Sequence, residues 1–378
     1  MPEPESMVRR IRDHESGKHR PDDEYAELYC RVYGLSEHAL FNDGNDGDEE
    51  ADLGDEIDAM ELARRAAASD VGRQTLERLE IAVDDLAAAY PRMPPAQLLG
   101  RVRRHLQYVA RLLDGRKTMV EHRRLLVAGG WLSLLGATCH IDLKQYPAAG
   151  ARLRTAAQLA EHATHAEIRG WCLETEAWQA LTEGEYQHAM VLSQAAQDAA
   201  PRGSSAYIQA TGQEGRAWAR MGKGVETRAA LTRIQHMVSP MPMPDRPEHH
   251  FKYDPAKSEA YTATTLAWLG DPAAVPYARQ VLARMESTED GGPRPRRAAS
   301  ARLDLALALL ATDEPGEAGH VALQAVMSGL LVPSNYWRAK EVIVGVEQRQ
   351  IREAAELSEI YREMCGSPAK RDLPELSA

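Results

Sequence analysis

The 378-residue chain contains only two phenylalanines, and aromatic residues make up 6% of it. Runs that alternate β-branched and polar residues are also scarce, which argues against a sheet. Cys30, Cys139, Cys172 and Cys365 lie far apart with no CxxC pair. That excludes a zinc ribbon or a small disulfide scaffold and suits reduced thiols. Positive charge is in deficit: 45 Lys and Arg stand against 56 Asp and Glu, a formal net charge of −11. A chain that grips nucleic acid along its length carries the opposite sign, because each phosphate contact needs a cation. No apolar run approaches the ~20 residues of a bilayer span. The opening Met-Pro-Glu-Pro-Glu holds no apolar signal core, so the expectation is a cytoplasmic protein with no membrane contact. GxSxG, HExxH, P-loop and GxGxxG patterns are missing from any supporting context. The chain therefore does not read as an enzyme, and no cofactor or metal is expected.

What is present is alanine, leucine and helical periodicity. Ser6 is placed to cap a helix over Met7 to Glu15 that displays Arg9, Arg10 and Arg12. Gly17 stops it, and after Pro21 a second helix repeats Tyr25, Leu28, Tyr29 and Val32 at helical spacing. Residues 42–55 are acidic and glycine-rich and read as a solvated linker. They do not fit a calcium loop, because with Asp43 first, Asp48 falls where glycine is required. Helices fill the rest, from Val71 to Tyr90 and from Ala96 to Leu113 onward. The expected layout is 1–41 N-terminal segment, 42–55 linker, 56–118 helical adaptor, 119–365 repeats and 366–378 tail.

The repeats rest on self-similarity. Tyr146 and Tyr186, Trp131 and Trp171, and Trp178 and Trp218 are each 40 residues apart. The units are helix pairs near 119–163, 165–201, 204–239, 256–288, 295–329 and 335–365. A single pair cannot bury its apolar face, so pairs stack into a curved array with a concave groove. With Ala149, Ala189 and Ala229 as close-packed anchors, Glu174 and Trp178 become equivalent to Glu214 and Trp218, all facing the groove. An acidic, aromatic lining of that kind, with Trp131 and Trp171 as further candidate groove contacts, would hold a peptide or a cationic ligand; the bland alternative is that the tryptophans are core.

Residues 239–255 hold five prolines and are too long for an ordinary turn, so His250 and Tyr253 become candidate groove contacts. His249 and His250 are adjacent on a loop and do not make a zinc site by themselves. Asn335 is expected to cap the last pair, with Tyr336 or Trp337 meeting the groove. Ile343, Val344, Val346, Ile351, Leu357 and Ile360 supply a candidate homodimer surface.

Met7 to Phe41, MVRRIRDHESGKHRPDDEYAELYCRVYGLSEHALF, resembles the second half of a Cro/repressor-type helix-turn-helix domain, in its recognition helix and in the Glu15, Gly17, Pro21 turn. YPRMPPAQLLGRVRRHLQYVARLLDGR, WLSLLGATCHIDL, PEHHFKYDPAKSEAYTATTLAWLGDP and LVPSNYWRAKEVI resemble the tetratricopeptide sensor domain fused to it in actinobacterial regulators. The resemblance implies an all-α protein: a right-handed superhelical solenoid of tetratricopeptide-like pairs, preceded by a partial helix-turn-helix segment. A complete domain of that type has two more helices before the recognition helix, whereas few residues precede Ser6. The implied function is a transcription regulator whose groove senses a small ligand, peptide or protein. A DNA operator would be met by Arg9, Arg10, Arg12, Lys18 and Arg20. The alternative is an interaction scaffold that has lost DNA binding.

Overall fold

The computed structural model describes residues 4–15, 19, 21–34, 37, 40, 57–60, 70–244, 249–287 and 293–366. Among them every regular element is helical and there is no strand. The acidic segment 42–55, Lys18, Arg20, the side chain of Arg9 and the tail from 367 lie outside the described residues. The chain divides into two compact units, Met1–Ala59 and Met60–Ala378.

In the first unit, α1 (Pro4–Glu15) starts on Pro4 rather than after Ser6; the fixed φ of proline suits a first helical turn. Asp22 caps α2 (Asp23–Tyr33) by accepting from the Tyr25 amide at 3.2 Å, and Gly34 ends it at φ 66°. His14 meets Tyr25 edge-on at 5.3 Å, and the Tyr29 hydroxyl donates to the Ile11 carbonyl at 3.4 Å. Of the expected apolar stripe on α2, Leu28 and Val32 are exposed, and Ala26 is the buried residue.

The second unit is a stack of helix pairs. The first helices are α3 (Arg73–Ala89), α5 (Met119–Asp142), α7 (Ala166–Thr182), α9 (Ser205–Arg220), α11 (Pro255–Leu269), α13 (Pro295–Ala311) and α15 (Tyr336–Gln348). Their partners are α4 (Pro95–Asp114), α6 (Tyr146–His162), α8 (Tyr186–Ala199), α10 (Gly224–Val238), α12 (Ala274–Glu286), α14 (Pro315–Met327) and α16 (Ala354–Gly366). Each partner packs on its own first helix and on the next one, and consecutive first helices touch from α3 to α15. The first helices thus form one continuous inner layer, as in a solenoid. Residues 70–114 pack in the same order as every later pair, so the stack begins before 119.

Local chemistry sets the boundaries. Thr118 and Glu121 form a reciprocal capping box at the start of α5. Prolines start α4, α11, α13 and α14, where a missing amide hydrogen costs nothing. Six first helices end on a left-handed residue: Lys144, Gly184, Gly222, Gly270, Asp313 and Gln350. In each, the following amide bonds back to a carbonyl five residues earlier, as Glu185 does to Ala180 at 2.9 Å. Close approach between pairs relies on small residues. A Cβ at Gly170 would lie 2.6 Å from that of Ala200. Helix α5 has the length and hydropathy of a membrane span, yet 89% of its apolar window is buried in the stack.

Those left-handed residues correct the repeat register. Lys144 to Gly184 is 40 residues, but Gly184 to Gly222 is 38. The residue equivalent to Ala149 and Ala189 is therefore Thr227, fully buried at the same step of α10, while Ala229 is exposed. The 40-residue spacing of Trp178 and Trp218 is a coincidence; Arg216 is the true counterpart of Trp178.

The proline-rich insertion folds back over the early pairs. Phe251 lodges against Trp131 at 4.6 Å and Trp171 at 5.6 Å. The His249 ring bridges two partners: Nε2 donates to the Asp84 carbonyl at 3.1 Å, and Nδ1 accepts from the Phe251 amide at 3.2 Å. This fixes a neutral ring, and burial lowers its pKa to about 4.

Candidate functional site

The inner layer lines a partly open cavity of about 140 Å³. Three helical stripes from successive first helices supply much of its wall. Thr138, Trp178, Arg216 and Thr264 each lie six residues before the left-handed turn, and Thr175, Gln213, Tyr261 and Asp304 nine residues before it. Gln209, Lys257 and Ser300 lie thirteen before. Equivalent positions in stacked helices face the same way, which is why such distant residues converge.

The two ends of the stack meet at this cavity. The Asp142 carboxylate, at the end of α5, pairs with the Arg296 guanidinium of α13 and accepts from Tyr90 Oη at 2.9 Å. It also accepts from Ser334 Oγ at 3.0 Å, on the 3₁₀ turn Pro333–Asn335 that precedes α15. Arg296 donates to the Tyr90 carbonyl at 2.7 Å and lies over the Tyr90 ring at 4.4 Å. Burial opposes the charge on Arg296, but Asp142 beside it outweighs burial and holds the guanidinium protonated. A second buried pair joins α13 and α15. Asp304 accepts from Arg338 Nη1 at 3.0 Å, from Thr264 Oγ1 at 2.7 Å and from Trp268 Nε1 at 3.2 Å.

Between these pairs sits Arg216. Its guanidinium carbon lies 3.5 Å over the Tyr261 ring, and Nη1 donates to Gln213 Oε1 at 2.9 Å. Its Nε is buried without a partner. Lys257 is buried too; Nζ donates to the His250 carbonyl at 2.7 Å, tying α11 to the insertion. Burial lowers its pKa. Glu174 accepts from Gln209 Nε2 at 3.0 Å, and burial pushes its carboxyl above the usual range. Burial would also raise the Tyr261 phenol, yet Arg216, Lys257 and Arg297 together bring it below its ordinary value. The potential around the Tyr261 hydroxyl is therefore positive.

Of the residues marked by sequence, Glu174, Trp178, His250 and Asn335 reach the cavity wall. Asn335 does not cap α15; its amide donates to Ser300 Oγ at 3.0 Å and its carbonyl accepts from Arg338 at 2.9 Å. His250 packs at a tilt against Tyr90, ring centroids 4.3 Å apart, and contacts Thr138 Oγ1 at 3.2 Å. Because that hydroxyl gives its proton to Leu134, His250 is the donor. The others serve elsewhere. Trp131 and Trp171 clamp Phe251, and Tyr253 packs among Ile208, Ile234 and Val238. Trp337 and Tyr336 pack against Trp268 and Tyr361.

Glu214 and Trp218 face away from the cavity. Glu214 sits in a seam with α8 and α10, accepting from Gln194 at 3.3 Å, Gln197 at 3.0 Å, Arg233 at 2.6 Å and Trp218 at 3.4 Å. The slipped register explains this: two residues are about 200° around a helix. In the candidate dimer surface, Ile343, Val346 and Leu357 are buried core, whereas Val344 is exposed. Arg10 and Arg12 are exposed on α1. Sequence reading missed Arg216, Lys257, Tyr261, Asp304 and Arg338. Alignment on the left-handed turns, rather than on the tryptophans, would have found Arg216.

No group of three or more His, Cys, Asp or Glu is placed to hold a metal among the described residues. Comparison of the chain with known protein families, curated proteins and solved structures finds no match in any of the three.

Proposed function

We propose that the helical stack is a sensor whose cavity takes a small ligand, and that occupancy controls DNA binding by the N-terminal segment, as in a cytoplasmic transcription regulator. The observation that carries the sensor half is the meeting of distant helices at the cavity's border. The buried Asp142 cluster ties the end of α5 to α13 and to the turn before α15, and it borders the cavity. A ligand touching that wall gains or loses contacts as the ends shift, which is what couples binding to shape. Resemblance of Met7–Phe41 to a helix-turn-helix segment supports the DNA half, together with exposed Arg10 and Arg12 on α1.

The test is an electrophoretic shift of the full chain with DNA from upstream of its own gene, at two salt concentrations. The expected result is binding that weakens steeply with salt and is lost in an Arg10→Ala, Arg12→Ala double variant. Absence of salt-dependent binding overturns the DNA half and favours an interaction scaffold.

A further inference from the structure

The cavity wall carries five cations, Arg216, Lys257, Arg296, Arg297 and Arg338, against three carboxylates, Asp142, Glu174 and Asp304. Asp142 neutralises Arg296 and Asp304 neutralises Arg338. Glu174 offsets Lys257, which leaves the Arg216 guanidinium without a compensating carboxylate among these groups. Glu174 is held by an amide, not by a cation at ion-pair distance. Arg216 is 7% exposed, and its buried Nε lacks a partner. Buried positive charge of this kind is costly unless an anion accompanies it. The same guanidinium, lying over the ring, is the largest cause that brings the Tyr261 phenol below its ordinary value against the effect of burial. The size of the site limits what enters: about 140 Å³ is close to the ~150 Å³ cavity that holds one benzene ring. The half-buried Trp178, with Val281 and Met285, offers an apolar side to that space.

We propose that the ligand is a small organic anion about one ring in bulk, its carboxylate or phosphate group received by Arg216 above Tyr261 and its apolar body lying toward Trp178. Lys257 contributes charge without needing to touch it. This rests on the sensor reading above and reverses the cationic ligand that the sequence suggested: the acidic side chain expected to attract it, Glu174, is engaged by Gln209.

The experiment is calorimetric titration of the full chain with benzoate, phenyl phosphate, benzamide and benzamidine. These probes share a ring and differ in the charge of the head group. At least one anion is expected to bind about tenfold or more tightly than benzamide, and benzamidine is expected not to bind. The tighter of the two anions identifies the head group. Arg216→Gln is expected to weaken the anion at least about tenfold, while Arg216→Lys retains part of the affinity. Circular dichroism checks that the variants fold. Should Arg216→Gln fail that check, Arg216→Lys alone is read, and an anion affinity equal to the parent's then overturns the proposal. Benzamide or benzamidine binding as well as the anions overturns the anion proposal and leaves the sensor reading standing. Anion affinity that is unchanged in folded Arg216→Gln does the same. Failure of all four to bind overturns both.

Discussion

Helices α7 and α9 carry the same phrase, Glu174-x-x-x-Trp178 and Glu214-x-x-x-Trp218, and the two copies face opposite ways. In α7 the glutamate and tryptophan border the cavity; in α9 they close a seam with α8 and α10. Their carboxyls respond in opposite directions. Burial raises Glu174, whereas for Glu214 Gln197 and Arg233 outweigh burial and lower it. The same dipeptide spacing therefore has no fixed meaning in a repeat whose period changes from 40 to 38 residues. What is equivalent is distance from the turn, because the turn fixes how the next helix docks.

The comparison between inward and outward clusters can be broken by removing one member of each. Asp142→Ala strands the buried Arg296 without its carboxylate and is expected to cost about 3–5 kcal/mol in urea unfolding. Equal stability to the parent would mean that the ends of the stack do not hold it shut. Acid gives the next largest effect. His249 is held neutral with a folded pKa of about 4, below the ~6.5 of a free histidine. The unfolded chain then binds more protons between those values. Its contribution is complete above pH ~6.5 and is lost as pH falls toward 4, by up to about 3 kcal/mol. A His249→Gln variant should show a flatter stability profile over that window.

The two glutamates sharpen the contrast directly. Glu214→Gln removes a charged acceptor from four donors and should cost about 1.5–3 kcal/mol at neutral pH. Glu174→Gln removes a carboxyl whose charged form burial disfavours, so stability should hold or rise; a loss equal to that of Glu214→Gln would erase the distinction. The smallest effect tests the turn itself. Lys144 occupies the left-handed position that glycine fills in α7 and α9, at φ 56°. Lys144→Gly should stabilise by up to about 1 kcal/mol, seen as a small rise in Tm.

Much of the architecture was legible before the structure. Trp131 and Trp171, and Tyr146 and Tyr186, are true equivalents because both spacings fall within the one interval of 40. The prolines, glycines and the Thr118–Glu121 box mark helix boundaries by local chemistry, which needs no tertiary context. The apolar residues of the last pair were visible as well, but not their burial: Leu357 reads equally well as a surface or as core. The cavity was the least legible part. Arg216, Lys257 and Arg338 look like ordinary solvated charges in sequence, since helical surfaces carry many such residues.

By itself, then, the amino-acid order determined that this chain forms helices, where they start and stop, and that they come in stacking pairs. Those are local matters of capping, propensity and periodicity. Which face of each helix looks inward was decided only in the folded stack. Each residue turns a helix by about 100°, so a shift of two in the register exchanged Trp218 for Arg216 at the cavity wall. The partners that close the cavity were decided there too. Asp142 and Arg296 are 154 residues apart and meet only when the stack brings its ends together.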